Sequence, residues 1–449
     1  MPKPCSTPDR RRRLPPGGLA LAVVAACAGA RAAPRGTAPA PAAPAKPPVA
    51  AAAVPAARAG VRLDVNWGID TAAVEQNYTG GNRRNPVREV LAAWRAYLDD
   101  RPDSLHATPH WSAAEQRALP PGAEYDLTRG FVFQHRDWAR RTRVTVLDVL
   151  PAAPDSSAWQ LRTLFATVGA DSAVRTIGIV RTRVAREGGG WVLASPFAAV
   201  ARGWRRERVG RLAYVVAPGR GFDRARAESA DGFVDSLARA FGVAPPDSIT
   251  YLVAGSPDEA QRALGMEWAL ETPGRAYVPN RFVYSGDPRL GEFYAHELAH
   301  LVLDPGLGRG TPGMAQEGLA TWAGGSVGRD FPALAAEYGR FLRGRPDVTL
   351  SGVVRGDYAF DAGWRPAGAL VFQLVYERGG MGGVRALLAD LGGRGPVLYF
   401  NPDERFAAAA ARALGVERAA LDGLVRARAV AYADSAAAAG RGGAPVAAP

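Results

Sequence analysis

The sequence predicts an α+β protein with two folded regions, residues 61–208 and residues 209–433. A chain of 449 residues with 47% hydrophobic content is long and apolar enough to bury sizeable cores. The first region begins with one amphipathic helix and continues in short β-rich runs, whereas the second alternates strands with helices and ends in helices. No apolar run reaches the roughly 18 residues of a membrane-spanning helix, which excludes a polytopic membrane protein.

The formal charge of +12 is concentrated near the amino terminus. Residues 1–60 contain nine basic residues and one acidic residue, so the rest of the chain carries a net charge of only +4. Only two of the 55 basic residues are lysines, a bias typical of GC-rich coding rather than of phosphate binding. The arginine-rich residues 202–211 accompany no nucleic-acid motif, so we expect no nucleic-acid partner.

Residues 1–30 are typical of a secretory signal. A positive segment, Arg10–Arg13, precedes the apolar run Leu19–Ala30, which ends in small residues that suit a signal peptidase. The four residues ending at Cys27 also resemble a bacterial lipobox, so the alternatives are an ordinary cleaved signal and a lipoprotein attached to a membrane through Cys27. Both predict an exported protein in the periplasm or cell envelope of a bacterium.

Two low-complexity segments flank the folded regions. Residues 31–60 form an Ala/Pro-rich linker, and residues 434–449 form a short tail. The only two cysteines, Cys5 and Cys27, lie in the leader, so the folded regions have neither a disulfide nor a cysteine-ligated metal site.

In the first folded region, Asn85–Asp100 has the apolar spacing of a helix, with Asn85 as the cap and a proline in the first turn. Strands are expected around residues 144–149, 159–165 and 177–179, and Gly188–Gly190 predicts a hairpin turn. One helix followed by a curved antiparallel sheet resembles the cone fold of nuclear-transport-factor-like domains.

In the second folded region, strands are predicted at Leu212–Val216 and Ile249–Val253, with a helix at Asp223–Phe241 between them. A further strand is expected over Gly274–Tyr284. The next helix is predicted to begin at Asp287 and Pro288 and to end at Asp304-Pro305-Gly306.

This last helix carries the chemically most informative motif, His296-Glu297-Leu298-Ala299-His300. Two histidines four residues apart share one face of a helix, where both imidazoles can bind a single Zn²⁺ ion. Glu297 lies beside that face and is placed to hold a water molecule rather than the metal. A chance occurrence in a chain with only five histidines is rare, on the order of two in a thousand.

A catalytic zinc site needs a third protein ligand and an open coordination position. The metzincin extension of the motif fails, because Leu303 replaces its glycine and Gly306 replaces its third histidine. Asp304 is four residues beyond His300, but its place before a proline favours a role at the helix end. Glu317, in the segment Gln316-Glu317-Gly318-Leu319-Ala320-Thr321-Trp322, is the better candidate.

The two segments together resemble the gluzincin zinc metallopeptidases, especially the bacterial peptidase MA-like proteins that are distant relatives of aminopeptidase N. The resemblance covers roughly residues 210–430 and includes the turn Gly324-Gly325-Ser326 and the segment Ala367–Gly380. It implies that His296, His300 and Glu317 bind Zn²⁺ and that Glu297 is the general base.

Such relatives also use a tyrosine that donates to the oxyanion. Tyr358 is the first candidate for this role and Tyr376 the second. Either tyrosine is alternatively a packed aromatic residue. Thr321 stands where a carboxylate often braces a histidine in such sites.

The segment Gly274–Asn280 lacks the motif that anchors a free amino terminus in aminopeptidase N relatives, which favours an endopeptidase over an aminopeptidase. The expected partner is a peptide or protein substrate. The alternative function is a non-catalytic, zinc-containing binding module of the cell envelope, with the first region as its interaction surface. The intact Glu297 favours the enzyme.

Overall fold

The computed structural model describes residues 86–99, 109–117, 142–153, 155, 157–168, 173–268, 272–307, 311–355, 357–358, 364–392 and 404–442. All of these residues lie in one compact unit, Trp67–Pro449. The predicted signal, linker and end of the tail lie outside the described residues, as does the predicted cap Asn85. The described fold is a mixture of helices and two open sheets, which confirms the α+β class.

The first region contains the predicted helix followed by a sheet. Its elements are α1 (Val87–Asp99), α2 (Ala113–Arg117), β1 (Thr142–Pro151), β2 (Ala158–Val168), β3 (Val174–Glu187), β4 (Gly190–Ala194) and α3 (Phe197–Val200). The order β1-β2-β3-β4 is antiparallel throughout, and Gly188 and Gly189 form the predicted hairpin turn with positive φ angles of 60° and 85°.

Helix α1 packs on one face of this sheet. Trp94 stacks on Tyr97 with ring centroids 5.5 Å apart and meets Phe165 of β2 edge-on at 6.3 Å. Every second residue of β2 faces the helix, because side chains alternate across a strand. The result is one apolar core between helix and sheet. The cone fold remains a prediction.

The second region holds a five-stranded sheet and most of the helices. Its elements are β5 (Arg205–Val209), β6 (Leu212–Val216), α4 (Arg224–Phe241), β7 (Ile249–Val253), α5 (Pro257–Ala263), β8 (Met266–Trp268), β9 (Gly274–Tyr277), β10 (Phe282–Ser285), α6 (Ala295–Leu303), α7 (Gly313–Gly324), α8 (Phe331–Leu342), α9 (Leu350–Arg355), α10 (Arg365–Leu391), α11 (Glu404–Leu414) and α12 (Leu421–Gly442).

The second sheet has the order β5-β6-β7-β10-β9. Strand β7 is parallel to both of its neighbours, and the two outer strands are antiparallel. Both predicted strands, β6 and β7, and the predicted helix α4 are confirmed, and the structure shows that Asp223 caps this helix. Helices α6, α7 and α10 share the large core that lies against α4 and this sheet.

Two sequence predictions near the motif are wrong. The expected strand at Gly274–Tyr284 is a hairpin, β9 and β10, because a short 3₁₀ turn ends at Arg281 in the left-handed region with φ of 46°. The motif helix begins at Ala295 rather than at Asp287. Gly291, with φ of 48°, separates a turn after Asp287 from the helix proper, so the capping pattern of Asp287 and Pro288 serves that turn.

The two predicted regions are joined through shared sheets. Strand β8, which belongs in sequence to residues 209–433, pairs with β3 of the first sheet. Glu267 of β8 forms ion pairs there with Arg162 and Arg181. Strand β5 also runs across the predicted boundary between residues 208 and 209. None of the described helices combines the length and apolar character needed to cross a membrane.

Candidate metal centre

The two motif histidines lie side by side on helix α6, inside the core. His296 is 2% exposed and His300 is 8% exposed, and their Nε2 atoms are 3.3 Å apart. Two Zn–N bonds of about 2.0–2.1 Å at a tetrahedral angle separate their nitrogens by about 3.3–3.4 Å. The pair therefore has the spacing that one metal ion requires.

A glycine turn fixes the orientation of His296. Its Nδ1 lies 2.7 Å from the carbonyl oxygen of Gly325, so Nδ1–H donates there and the Nε2 lone pair faces the site. Gly324 makes this approach feasible, because a Cβ atom at that position would lie 2.5 Å from the backbone carbon of Ala295. The turn Gly324-Gly325 in the sequence is thus part of the site.

Asp304 fixes the orientation of His300. The Nδ1 of His300 donates to the Asp304 carboxylate at 2.9 Å, and this leaves Nε2 directed at His296 and Glu317. Burial alone lowers the pKa of His300, but the charge and hydrogen bond of Asp304, followed by the charges of Glu317 and Glu297, raise it to about 10. Asp304 therefore braces a histidine, a role that the sequence had assigned to the position of Thr321.

Thr321 has a different environment. It is fully buried, and its hydroxyl has no hydrogen-bond partner among the described residues. Its backbone carbonyl accepts from the N–H of Gly325 and ends helix α7. Thr321 thus shapes the glycine turn through its backbone.

Glu317 reaches the histidines from helix α7. Its Oε2 lies 3.3 Å from Nε2 of His296, and its Oε1 lies 3.7 Å from Nε2 of His300. Close helix packing places it there, since a Cβ on Gly318 would lie 2.7 Å from the backbone of Gly368 in α10. Burial raises the pKa of Glu317, but the histidines and Arg365 together hold it well below its usual range.

The convergence of these three side chains fits a bound cation. One ligand atom from each of His296, His300 and Glu317 lies within 4.8 Å of the other two. With both Nδ1 atoms donating elsewhere, the two Nε2 atoms and the carboxylate present lone pairs to one another, and a proton or a metal ion must lie between them. Two imidazoles and one carboxylate are a ligand set of catalytic zinc sites.

Glu297 lies next to this group without joining it. Its side chain is largely buried, and Oε2 accepts a hydrogen bond of 2.7 Å from the N–H of Ala276 on the edge strand β9. The other carboxylate oxygen has no hydrogen bond to a described residue. The carboxylate is therefore oriented by the sheet and keeps an oxygen for a water molecule.

Arg365 is a site residue that sequence reasoning missed. Its Nε donates to Oε2 of Glu317 at 2.8 Å from the first turn of helix α10. A cation is unfavourable at the amino-terminal end of a helix, because the helix dipole is positive there. An arginine directly before Pro366 was therefore a usable signal for a carboxylate partner.

The two tyrosine candidates are engaged elsewhere. The Tyr358 hydroxyl donates to the carbonyl oxygen of Asp347 at 3.0 Å, and its ring lies against Gly352. The Tyr376 ring packs on Trp322 with centroids 5.5 Å apart. The structure thus brings together four of the five predicted site residues, and it records no contact of Tyr358 with those four among the described residues.

No family model matches the chain, and no curated protein is significantly similar to it.

Proposed function

We propose that this protein is a zinc-dependent peptidase, more specifically an endopeptidase of the gluzincin type. One observation carries the proposal, namely that two braced histidines and Glu317 converge beside Glu297. Zn²⁺ held by His296, His300 and Glu317 would supply a Lewis acid for the scissile carbonyl and lower the pKa of water to about 7.

Glu297 is the general base in this proposal. Its free carboxylate oxygen accepts a proton from the attacking water, whose oxygen bonds to the carbonyl carbon of the peptide. When the C–N bond breaks, the same proton passes to the leaving nitrogen, and Glu297 returns to the carboxylate. The hydrogen bond from Ala276 keeps the carboxylate in one orientation between the two transfers.

The substrate class follows from the same residues. Strand β9, at the edge of its sheet, reads Gly-Arg-Ala-Tyr and carries no acidic residue to bind a free amino terminus, which supports internal cleavage. The export signal expected in residues 1–30 supports a peptide or protein substrate outside the cytoplasm.

The direct test is hydrolysis of an unfolded protein by the zinc-loaded chain, compared with Glu297→Gln. We expect the variant to bind zinc like the wild type and to lose about 10²–10⁴-fold in kcat. Glu228→Gln is the matched control, because Glu228 is exposed on α4 and, among the described residues, pairs with Arg224 alone. Equal rates for wild type and Glu297→Gln would refute the peptidase and leave the zinc-binding module.

A further inference from the structure

We propose that Arg365 is a catalytic residue that binds the scissile carbonyl oxygen and stabilises the negative charge that develops on it. This inference rests on the peptidase function proposed above. It assigns to an arginine the role that the resemblance implies for a tyrosine.

The guanidinium group of Arg365 makes one hydrogen bond to a described residue and leaves its terminal nitrogens without one. Nε donates to Oε2 of Glu317, and the side chain lies over the ring of Trp364 at 5.9 Å from its centroid. The two terminal nitrogens of Arg365 have no hydrogen-bond acceptor among the described residues. The side chain is 42% exposed, so part of it is accessible to a ligand.

The position of Arg365 selects the reacting oxygen as that ligand. Because Nε donates to Glu317, one of the three residues that could hold the metal, the guanidinium group lies beside the candidate metal ligands. The reacting carbonyl must lie at this point if Glu297 is to direct water onto it. A terminal carboxylate of the substrate would lie at least one residue further away, about 3.8 Å along the backbone.

Two tyrosines are less suited to this role. The Tyr358 hydroxyl is bonded to a backbone carbonyl. Tyr294 is only 4% exposed, so its hydroxyl is less accessible to a substrate than the Arg365 side chain. Arg365 is therefore the cationic donor that the described residues provide at this point.

Hydrolysis of the peptide proceeds in two stages. The water oxygen bonds to the carbonyl carbon, its proton goes to Glu297, and the C=O electron pair moves onto the oxygen beside Arg365. The pair then returns, the C–N bond breaks, and the proton on Glu297 goes to the leaving nitrogen. Fixed donors aimed at such an oxygen typically contribute about 10²–10³ in kcat.

The test compares Arg365→Gln, Arg365→Lys and the control Arg343→Gln, whose arginine pairs with Asp434 on the exposed surface. We measure kcat and KM for a cleaved peptide, the affinity for the same peptide with a phosphinic group in place of the scissile amide, and the zinc affinity. We expect Arg365→Gln to lose about 10²–10³-fold in kcat. Its affinity for the phosphinic peptide falls in parallel, while KM and zinc affinity stay within about threefold. Arg365→Lys restores part of both losses.

Four results overturn the inference. A loss of zinc affinity with unchanged phosphinic binding would make Arg365 a positioning residue for Glu317. A rise in KM for peptides with a free carboxyl terminus, but not for amidated ones, would make it a terminal-carboxylate binder. If the wild type cleaves peptides no faster than Arg365→Gln, the role of Arg365 is refuted but the peptidase function is not. If the wild type cleaves no peptide, the peptidase function is refuted as well.

Discussion

The pair His300–Asp304 determines how many protons the site releases when it binds zinc. The charge and hydrogen bond of Asp304 raise the pKa of His300 to about 10, so without metal His300 is mostly protonated at neutral pH. Zinc needs the Nε2 lone pair and must displace this proton. Acidification therefore weakens zinc binding, and zinc binding releases protons.

Replacing Asp304 tests this linkage. In Asp304→Asn the carboxylate charge is lost, and we expect the pKa of His300 to fall towards the ordinary histidine value of about 6.5. At pH 8 the wild type should then release about one proton more per zinc than the variant. Titration calorimetry in buffers of different ionisation enthalpy measures this number, and equal proton release would contradict the proposed brace.

At the residue scale, the sequence predicted the candidate metal ligands but not the residues that orient them. The spacing of His296, Glu297 and His300 on one helix is a local property, so the motif predicts it. Arg365 and Gly325 reach the site from other helices and turns, and their contacts depend on packing over long sequence distances. Asp304 was recognised as near the site, but its partner was not.

At the scale of elements, the crossing of α7 and α10 positions Glu317. The contact is made by two glycines, Gly318 and Gly368, whose backbones touch. We expect Gly318→Ala to force these helices apart, to cost about 1–3 kcal/mol in unfolding free energy and to weaken zinc binding.

Gly232→Ala is the matched control for this change. Gly232 lies in the middle of α4 on its solvent-exposed surface, and a Cβ atom at this position would meet nothing within 4 Å. Alanine should stabilise that helix by about 0.5–1 kcal/mol. Urea unfolding measures both variants, and a Gly318→Ala protein as stable as the wild type would show that the crossing is not tight.

Element boundaries were predictable where one signal dominated. The strands β6 and β7 and the helix α4 follow from apolar periodicity and the Asp223 cap. The start of α6 was wrong because two signals competed: Pro288 favours a helix start, but Gly291 takes a positive φ angle and interrupts it. Sequence spacing alone does not show which signal prevails.

At the scale of the whole molecule, the first sheet contains a strand from the second region. Strand β8 of the second region pairs with β3 of the first region. Its residue Glu267 forms ion pairs with Arg162 and Arg181 of the first region. Such pairing joins residues far apart in sequence, and no local pattern predicts it. We therefore expect the two regions to unfold together.

Differential scanning calorimetry of the metal-free chain tests this expectation. A single transition, with the calorimetric enthalpy equal to the van't Hoff enthalpy, is the expected result. Two resolved transitions would instead show that the regions on either side of residue 208 are independent domains.

The central claim is that His296, His300 and Glu317 form one catalytic metal centre, and zinc titration of the metal-free protein tests it most directly. Bound zinc and peptide hydrolysis are measured in the same samples. We predict that activity rises in proportion to bound zinc and stops rising at one equivalent, and that Glu317→Gln binds zinc more weakly and stays inactive at that point. Activity that is independent of zinc, or a wild type that binds none, would contradict the claim.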